Sequence, residues 1–159
     1  MSVVSGSALS IRDAVPADLP AIAALALRSK GHWGYDPAVL EDMREELSWD
    51  AEDLARMRFR VGETTEFVGF SAVDRIDPTH AELEALFVDP TWIGTGAGRL
   101  LMTDAIEVAR ELGARVLVIQ SDPFAEGFYL AAGAVRVGER PSASIPGRIL
   151  PLLELELAP

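Results

Sequence analysis

No cysteine occurs in the chain. Disulfides, thiolate metal ligands and a thiol nucleophile are therefore excluded together, and the composition fits a cytoplasmic protein. Histidine is nearly as scarce. His32 and His80 are the two present, neither has ligand spacing around it, and no metal site is expected. Apolar runs are short as well. The longest, residues 22–27, falls far below the ~20 residues that cross a bilayer, so no membrane partner is expected. The first ten residues hold neither a basic group nor an apolar block and do not read as a secretory signal. Positive charge is in deficit, with 14 Lys and Arg against 25 Asp and Glu and a net charge of −11. Nucleic-acid binding needs a basic patch to neutralise phosphates, and none is visible, so that class of partner is set aside. The acidic excess serves solubility or favours a cationic substrate, and composition does not separate the two.

What is present is globular: 159 residues, 49% apolar and 25% charged, read as one domain over 1–159 with a flexible N-terminus at 1–8. Residues 9–12 read as a short strand. Asp18 and Pro20 open a helix whose Leu19, Ile22, Ala23, Leu25 and Ala26 share a face. The glycine- and aromatic-rich tract 29–35 reads as a loop, after which Asp36 as N-cap and Pro37 begin a second helix to about residue 47. Residues 57–62 and 67–76 form a hairpin, and 81–88 a further strand. A glycine-rich loop then feeds a long helix that buries Leu101, Ala105, Ile106, Val108, Ala109 and Leu112 and stops at Gly113. The apolar run 116–120 suits a strand covered on both faces. A short helix over 123–132 and strands at 135–139 and 150–157 complete the chain. This order indicates an α/β (α+β) fold, a mixed sheet of about seven strands flanked by about four helices.

Gly94-Thr95-Gly96-Ala97-Gly98 stands directly before the long helix. Glycines let backbone approach a ligand, and the first amides of a helix lack internal partners, so the turn suits a phosphate or pyrophosphate. Arg99 either adds a charged contact there or is a solvated helix residue. A Walker loop is excluded because Gly98-Arg99-Leu100 lacks the Lys-Ser/Thr ending. A dinucleotide fingerprint fails in both registers, at Arg99 and at Leu101, although Asp122 after the next strand mimics its ribose-binding acid.

The surroundings narrow the reading further. The stretch Glu82-Leu83-Glu84-Ala85-Leu86-Phe87-Val88-Asp89-Pro90-Thr91-Trp92-Ile93-Gly94-Thr95-Gly96-Ala97-Gly98-Arg99-Leu100-Leu101 resembles the acyl-CoA-binding core of the GNAT superfamily of acyl-CoA-dependent N-acyltransferases. Downstream, Asp122-Pro123-Phe124-Ala125-Glu126-Gly127-Phe128-Tyr129, followed by Gly133-Ala134, resembles that family's second signature. The likeness runs from Ile11-Arg12 to Leu157, and the tracts 29–35 and 144–148 resemble a bacterial subgroup. The resemblance implies a mostly antiparallel sheet with a V-shaped split between two central parallel strands. It implies acetyl-CoA as donor, no metal, and a primary amine of a small molecule, amino acid or peptide as acceptor, the alternatives being a transferase that uses another acyl-CoA or acceptor and a non-catalytic acyl-CoA-binding protein. Dimerisation is common among such relatives, so a homodimer is carried as an expectation.

The same resemblance places the donor against Leu86, Phe87 and Val88, with the Val88 amide at the developing oxyanion. Its phosphates fall to Ile93, Gly94, Thr95, Gly96, Ala97, Gly98 and Arg99, with Asp122 and Phe128 beside them. Ile93 departs from the pattern, which has Gln or Arg there, so weaker or differently supported CoA binding is expected. Tyr129 matches the residue that protonates the departing thiolate. Only roughly one lysine-like amine in a few thousand is neutral at pH 7, so a general base is useful. Glu82 and Glu84, two apart on one strand, are the candidates, or else they line a solvated face. Asp122 orients the donor or caps the short helix. His32, Trp33 and Tyr35 border the acceptor pocket by resemblance, and Arg148 is a candidate for an acidic group of the substrate.

Overall fold

The computed structural model describes residues 9–142 and 145–158. The stretch 1–8, read above as flexible, and Ser144 of the tail motif lie outside the described residues. The strands are β1 (Ser10–Asp13), β2 (Arg58–Glu63), β3 (Phe67–Arg75), β4 (His80–Val88), β5 (Val116–Gln120), β6 (Val135–Pro141) and β7 (Ile149–Glu156). The helices are α1 (Leu19–His32), α2 (Pro37–Met43), α3 (Ala51–Arg56), α4 (Ala97–Glu111) and α5 (Glu126–Ala131). The sheet order is β1-β2-β3-β4-β5-β7-β6, with β4 and β5 parallel and the other neighbours antiparallel.

Three differences from the sequence reading concern helices. The second helix, α2, ends at Met43 rather than near residue 47, the last stretch being turn. The tract 29–35 is not all loop, because α1 runs through Ser29, Lys30 and Gly31 to His32. The fifth helix, α3, is a single capped turn: Asp50 accepts from the Asp53 amide at 2.9 Å, and Asp53 returns the bond to the Asp50 amide.

Alternation along β3 divides the core between the two faces of the sheet. Phe70 and Ala72 pack with Ile22, Leu25 and Ala26 of α1, whereas Val73 packs with Met102 and Ala105 of α4. The buried stripe of α4 (Leu101, Met102, Ala105, Val108, Ala109) lies along that second face. Gly69 lets it come close. A Cβ there would stand 2.6 Å from the Phe87 carbonyl oxygen and 2.8 Å from Leu101 Cδ1.

The feature that shapes the cleft is on β4. Ala72 pairs with Ala85 but Val73 pairs with Leu83, so Glu84 is an extra residue, a β-bulge. The bulge breaks the two-residue rhythm: Leu83 faces α4, and Ala85 already faces α1. Pairing with β5 is confined to His80–Leu83 against Val116–Ile119. Beyond it the two strands part, and the second half of β4 has one open edge. This is the V-shaped split.

Candidate active site

A cleft of about 600 Å³ occupies the split, within the usual range for small-ligand pockets. Its walls come from β4, the turn before α4, the ends of α1 and β5, and the start of α5. Leu86, Phe87 and Val88 line it directly. The amide of Asp89 donates to the Val68 carbonyl at 2.7 Å, back toward β3. Strand alternation therefore turns the Val88 amide to the opposite edge, into the gap.

At one end lies the glycine turn. Gly94 and Gly96 have φ of +83° and +90°, a conformation that favours glycine, and a Cβ at either would meet nothing within 4 Å. The need is conformational, not spatial. The amides of Gly94, Gly96, Gly98 and Arg99 donate to no other atom among the described residues, and that of Ala97 reaches only the Thr95 hydroxyl at 3.4 Å. Ile93, Gly94, Gly96, Gly98 and Arg99 line the cleft. The side chains of Thr95 and Ala97 do not: the Thr95 hydroxyl donates to the Trp92 carbonyl, and Ala97 is buried under α4's first turn. The Thr95 amide is also taken, by the Trp92 carbonyl at 3.3 Å, so of these two positions only Ala97 has a weakly held amide to offer.

Tyr129 is brought to the cleft by α5, with Phe128 edge-on beside it at 5.2 Å between ring centres. Its ring is buried, and its hydroxyl makes no hydrogen bond within the described residues. Burial, and then the negative charge of Asp122, raise its pKa well above the ordinary tyrosine value. The group is thus held protonated.

The two glutamates are told apart by their partners. Glu82 meets Arg140 at 3.4 Å, and Arg140 also reaches Gln120 at 3.3 Å. Glu84, at the bulge, has no ion pair among the described residues. Its carboxyl keeps contact with solvent, yet the cleft walls strip enough water from it to raise its pKa. Glu82 and Asp74 add to that rise, and Arg56 opposes it.

Asp122 caps the turn before α5 by accepting from the Phe124 amide at 2.9 Å. Its other oxygen collects Lys30 Nζ at 2.6 Å, the Tyr35 hydroxyl at 2.8 Å and Arg148 Nη2 at 3.6 Å. Burial alone would raise its pKa; the charge of Lys30 and these hydrogen bonds hold it below the ordinary carboxylate value. Arg148 also donates to the Tyr35 hydroxyl and stacks 4.9 Å from its ring centre. Tyr35 therefore acts through Asp122 and Arg148 and is not itself a wall of the cleft. His32 is likewise off the wall. It lies exposed on the last turn of α1, edge-on to Trp33, whose own ring lines the cleft and stacks on Phe124 at 5.6 Å.

A sequence model of the Acetyltransferase (GNAT) family matches residues 21–134, most of the chain and all of the cleft except Arg148 and its strand neighbours. The chain belongs to this family. It is an acetyltransferase of the acyl-CoA-dependent kind. A curated relative, aminoglycoside N(6')-acetyltransferase type 1 of Stenotrophomonas maltophilia, is 36% identical over 124 residues, covering 72% of this chain and 76% of that protein. Among solved structures, a GCN5-related N-acetyltransferase from Rhodopseudomonas palustris superposes with a TM-score of 0.74 at 21% identity, covering 95% of this chain and 97% of that one. The PaiA N-acetyltransferase of Thermoplasma acidophilum, solved with coenzyme A, gives a TM-score of 0.75 at 17% identity, covering 94% and 99%. These likenesses confirm the mixed seven-stranded fold with its parallel β4–β5 pair.

The residues of this acetyltransferase fit an acyl-CoA donor. Unpartnered amides at the start of a 15-residue helix suit a pyrophosphate, and a free strand edge suits an amide-bearing arm. Sequence reasoning passed over Lys30, Glu46, Trp49, Gln120 and Phe124, all of which line the cleft. Lys30 had a readable signal, since Asp122 needs a cation if it is buried. The others come from segments whose positions only the folded chain fixes.

Proposed function

We propose that this acetyltransferase moves the acetyl group of acetyl-CoA to a primary amine of a small molecule, amino acid or peptide, directly between the two bound reactants. One observation carries the reading: Glu84, Val88 and Tyr129 all line one cleft, with the Val88 amide turned to its gap. In the transfer, the amine nitrogen bonds to the acetyl carbon and the carbon–sulfur bond breaks. Glu84 takes the proton the amine loses, directly or through a water, and Tyr129 gives its proton to the departing sulfur. The Val88 amide steadies the carbonyl oxygen as it gains charge. Glu82, held by Arg140, is the second choice as base. The donor lies along Leu86, Phe87 and Val88, its phosphates at Gly94 to Arg99, with Phe128 beside the arm. Ile93 contributes shape but no hydrogen bond. The aminoglycoside-acetylating relative supports a small-molecule acceptor.

A thiol-release assay with acetyl-CoA against a panel of amines tests this. Wild-type protein should release CoA with at least one amine, and Tyr129→Phe should do so about a hundredfold more slowly. Absence of release with every amine would sink the proposal.

A further inference from the structure

Lys30 and Arg148 exchange no proton in the transfer, yet they are the most enclosed cations of the cleft. Their side chains are 16% and 19% exposed, and both converge on Asp122, itself 12% exposed. Two cations thus share one carboxylate, and that carboxylate is already saturated. One of its oxygens accepts from the Phe124 amide, the other from Lys30 and Tyr35 with Arg148 beyond them. Tyr35 is neutral. The network therefore holds one positive charge more than it neutralises, in a place where a charge loses much of its hydration.

Arg148 has donors to spare. Its Nη2 is engaged, whereas its Nε and Nη1 donate to no atom among the described residues. Its Cζ lies over the Tyr35 ring, 4.9 Å from the ring centre, and Nη2 is held by the Tyr35 hydroxyl and Asp122, so an oxyanion would meet a guanidinium already tethered in place. The pyrophosphate has its own seat on the other arm of the split, at the start of α4 with Arg99. Arg148 arrives from the turn before β7, beyond β5. Two carboxylates that line the cleft, Glu84 and Glu46, make no ion pair among the described residues, take no part in this network and suit the amine.

Building on the acetyl-transfer reading, we propose that the acceptor is a small amine that also carries an oxyanion, a carboxylate or phosphonate, and that Arg148 receives it. An aminoglycoside, rich in amines and without an oxyanion, would leave Arg148 unmatched and meet its repulsion.

The test compares kcat/KM for amino acids, their aminophosphonate analogues, the corresponding amino-acid amides and an aminoglycoside. Titration of acetyl-CoA is run separately. Wild type should favour an oxyanion-bearing acceptor over its amide by roughly tenfold to a hundredfold. Arg148→Gln should collapse that ratio, mainly through KM, and Arg148→Lys should restore part of it. Aminophosphonate and amino-acid arms tell phosphonate from carboxylate. Equal use of acid and amide, or preference for the aminoglycoside, overturns the inference and leaves acetyl transfer standing. Loss of acetyl-CoA affinity in Arg148→Gln also overturns it, by assigning Arg148 to the donor. No CoA release with any amine overturns both readings at once.

Discussion

Glu84 differs from Glu82 in a way that no inspection of residue types reveals. Both are glutamates on one strand, but Glu82 is tied to Arg140 at 3.4 Å while Glu84 stands at the bulge without an ion pair among the described residues. Partial removal of water and the neighbouring charges of Glu82 and Asp74 raise the pKa of Glu84. A base must be ionised to accept a proton, so activity should fall as pH drops through this raised value. The acid limb of kcat/KM should therefore lie above the ordinary glutamate pKa of about 4.3. Glu84→Gln should remove that limb and lower the rate roughly a hundredfold or more at neutral pH, whereas Glu82→Gln should keep the limb. A pH–rate profile of the three proteins settles the choice, and a limb that survives in Glu84→Gln would rule Glu84 out. From the sequence, alternation was enough to bring both carboxylates to one cleft. It could not show which was paired, because Arg140 lies 58 residues away along the chain.

At the scale of elements, the packing of α4 on β3 depends on one missing side chain. A Cβ at Gly69 would overlap the Phe87 carbonyl oxygen, which is backbone and cannot swing aside. Gly69→Ala should cost about 1–3 kcal/mol in urea denaturation, and because β4 must shift, it should also lower acetyl-CoA affinity. A variant as stable as wild type would show that β3 and β4 are less tightly joined than the contact implies. Elements of this kind explain which parts of the fold the sequence exposed. The stripe of α4 and the apolar run of β5 are long and periodic, so their type and face were readable. Helix α3 was not, since six residues with Leu54 as their one large apolar side chain carry no period. Gly31 read as a break, yet α1 runs through it. A Cβ there would only touch Leu40 at 3.6 Å, so neither backbone nor packing forces the helix to end. The bulge at Glu84 is invisible in sequence because register is a property of two strands.

For the whole molecule, the split sheet exchanges one kind of stability for another. Beyond Leu83, β4 forgoes strand pairing with β5, which leaves amide and carbonyl groups along an edge that no strand among the described residues covers. A donor that seats itself along that edge and on the α4 turn supplies the missing partners, so it should stabilise the folded state by mass action. Saturation at a hundred times Kd contributes about 2.7 kcal/mol, and in a chain of 159 residues this raises Tm by about 5–10 °C. Acetyl-CoA should produce that shift in a melting experiment. Pantetheine, which has the arm but no pyrophosphate, should produce much less, because the amides of Gly94, Gly96, Gly98 and Arg99, unpartnered among the described residues, then stay unfilled. Equal shifts from the two compounds would place the binding energy in the strand edge and remove the glycine turn from the donor site. That outcome would also account for Ile93, whose apolar side chain costs nothing where no phosphate is held.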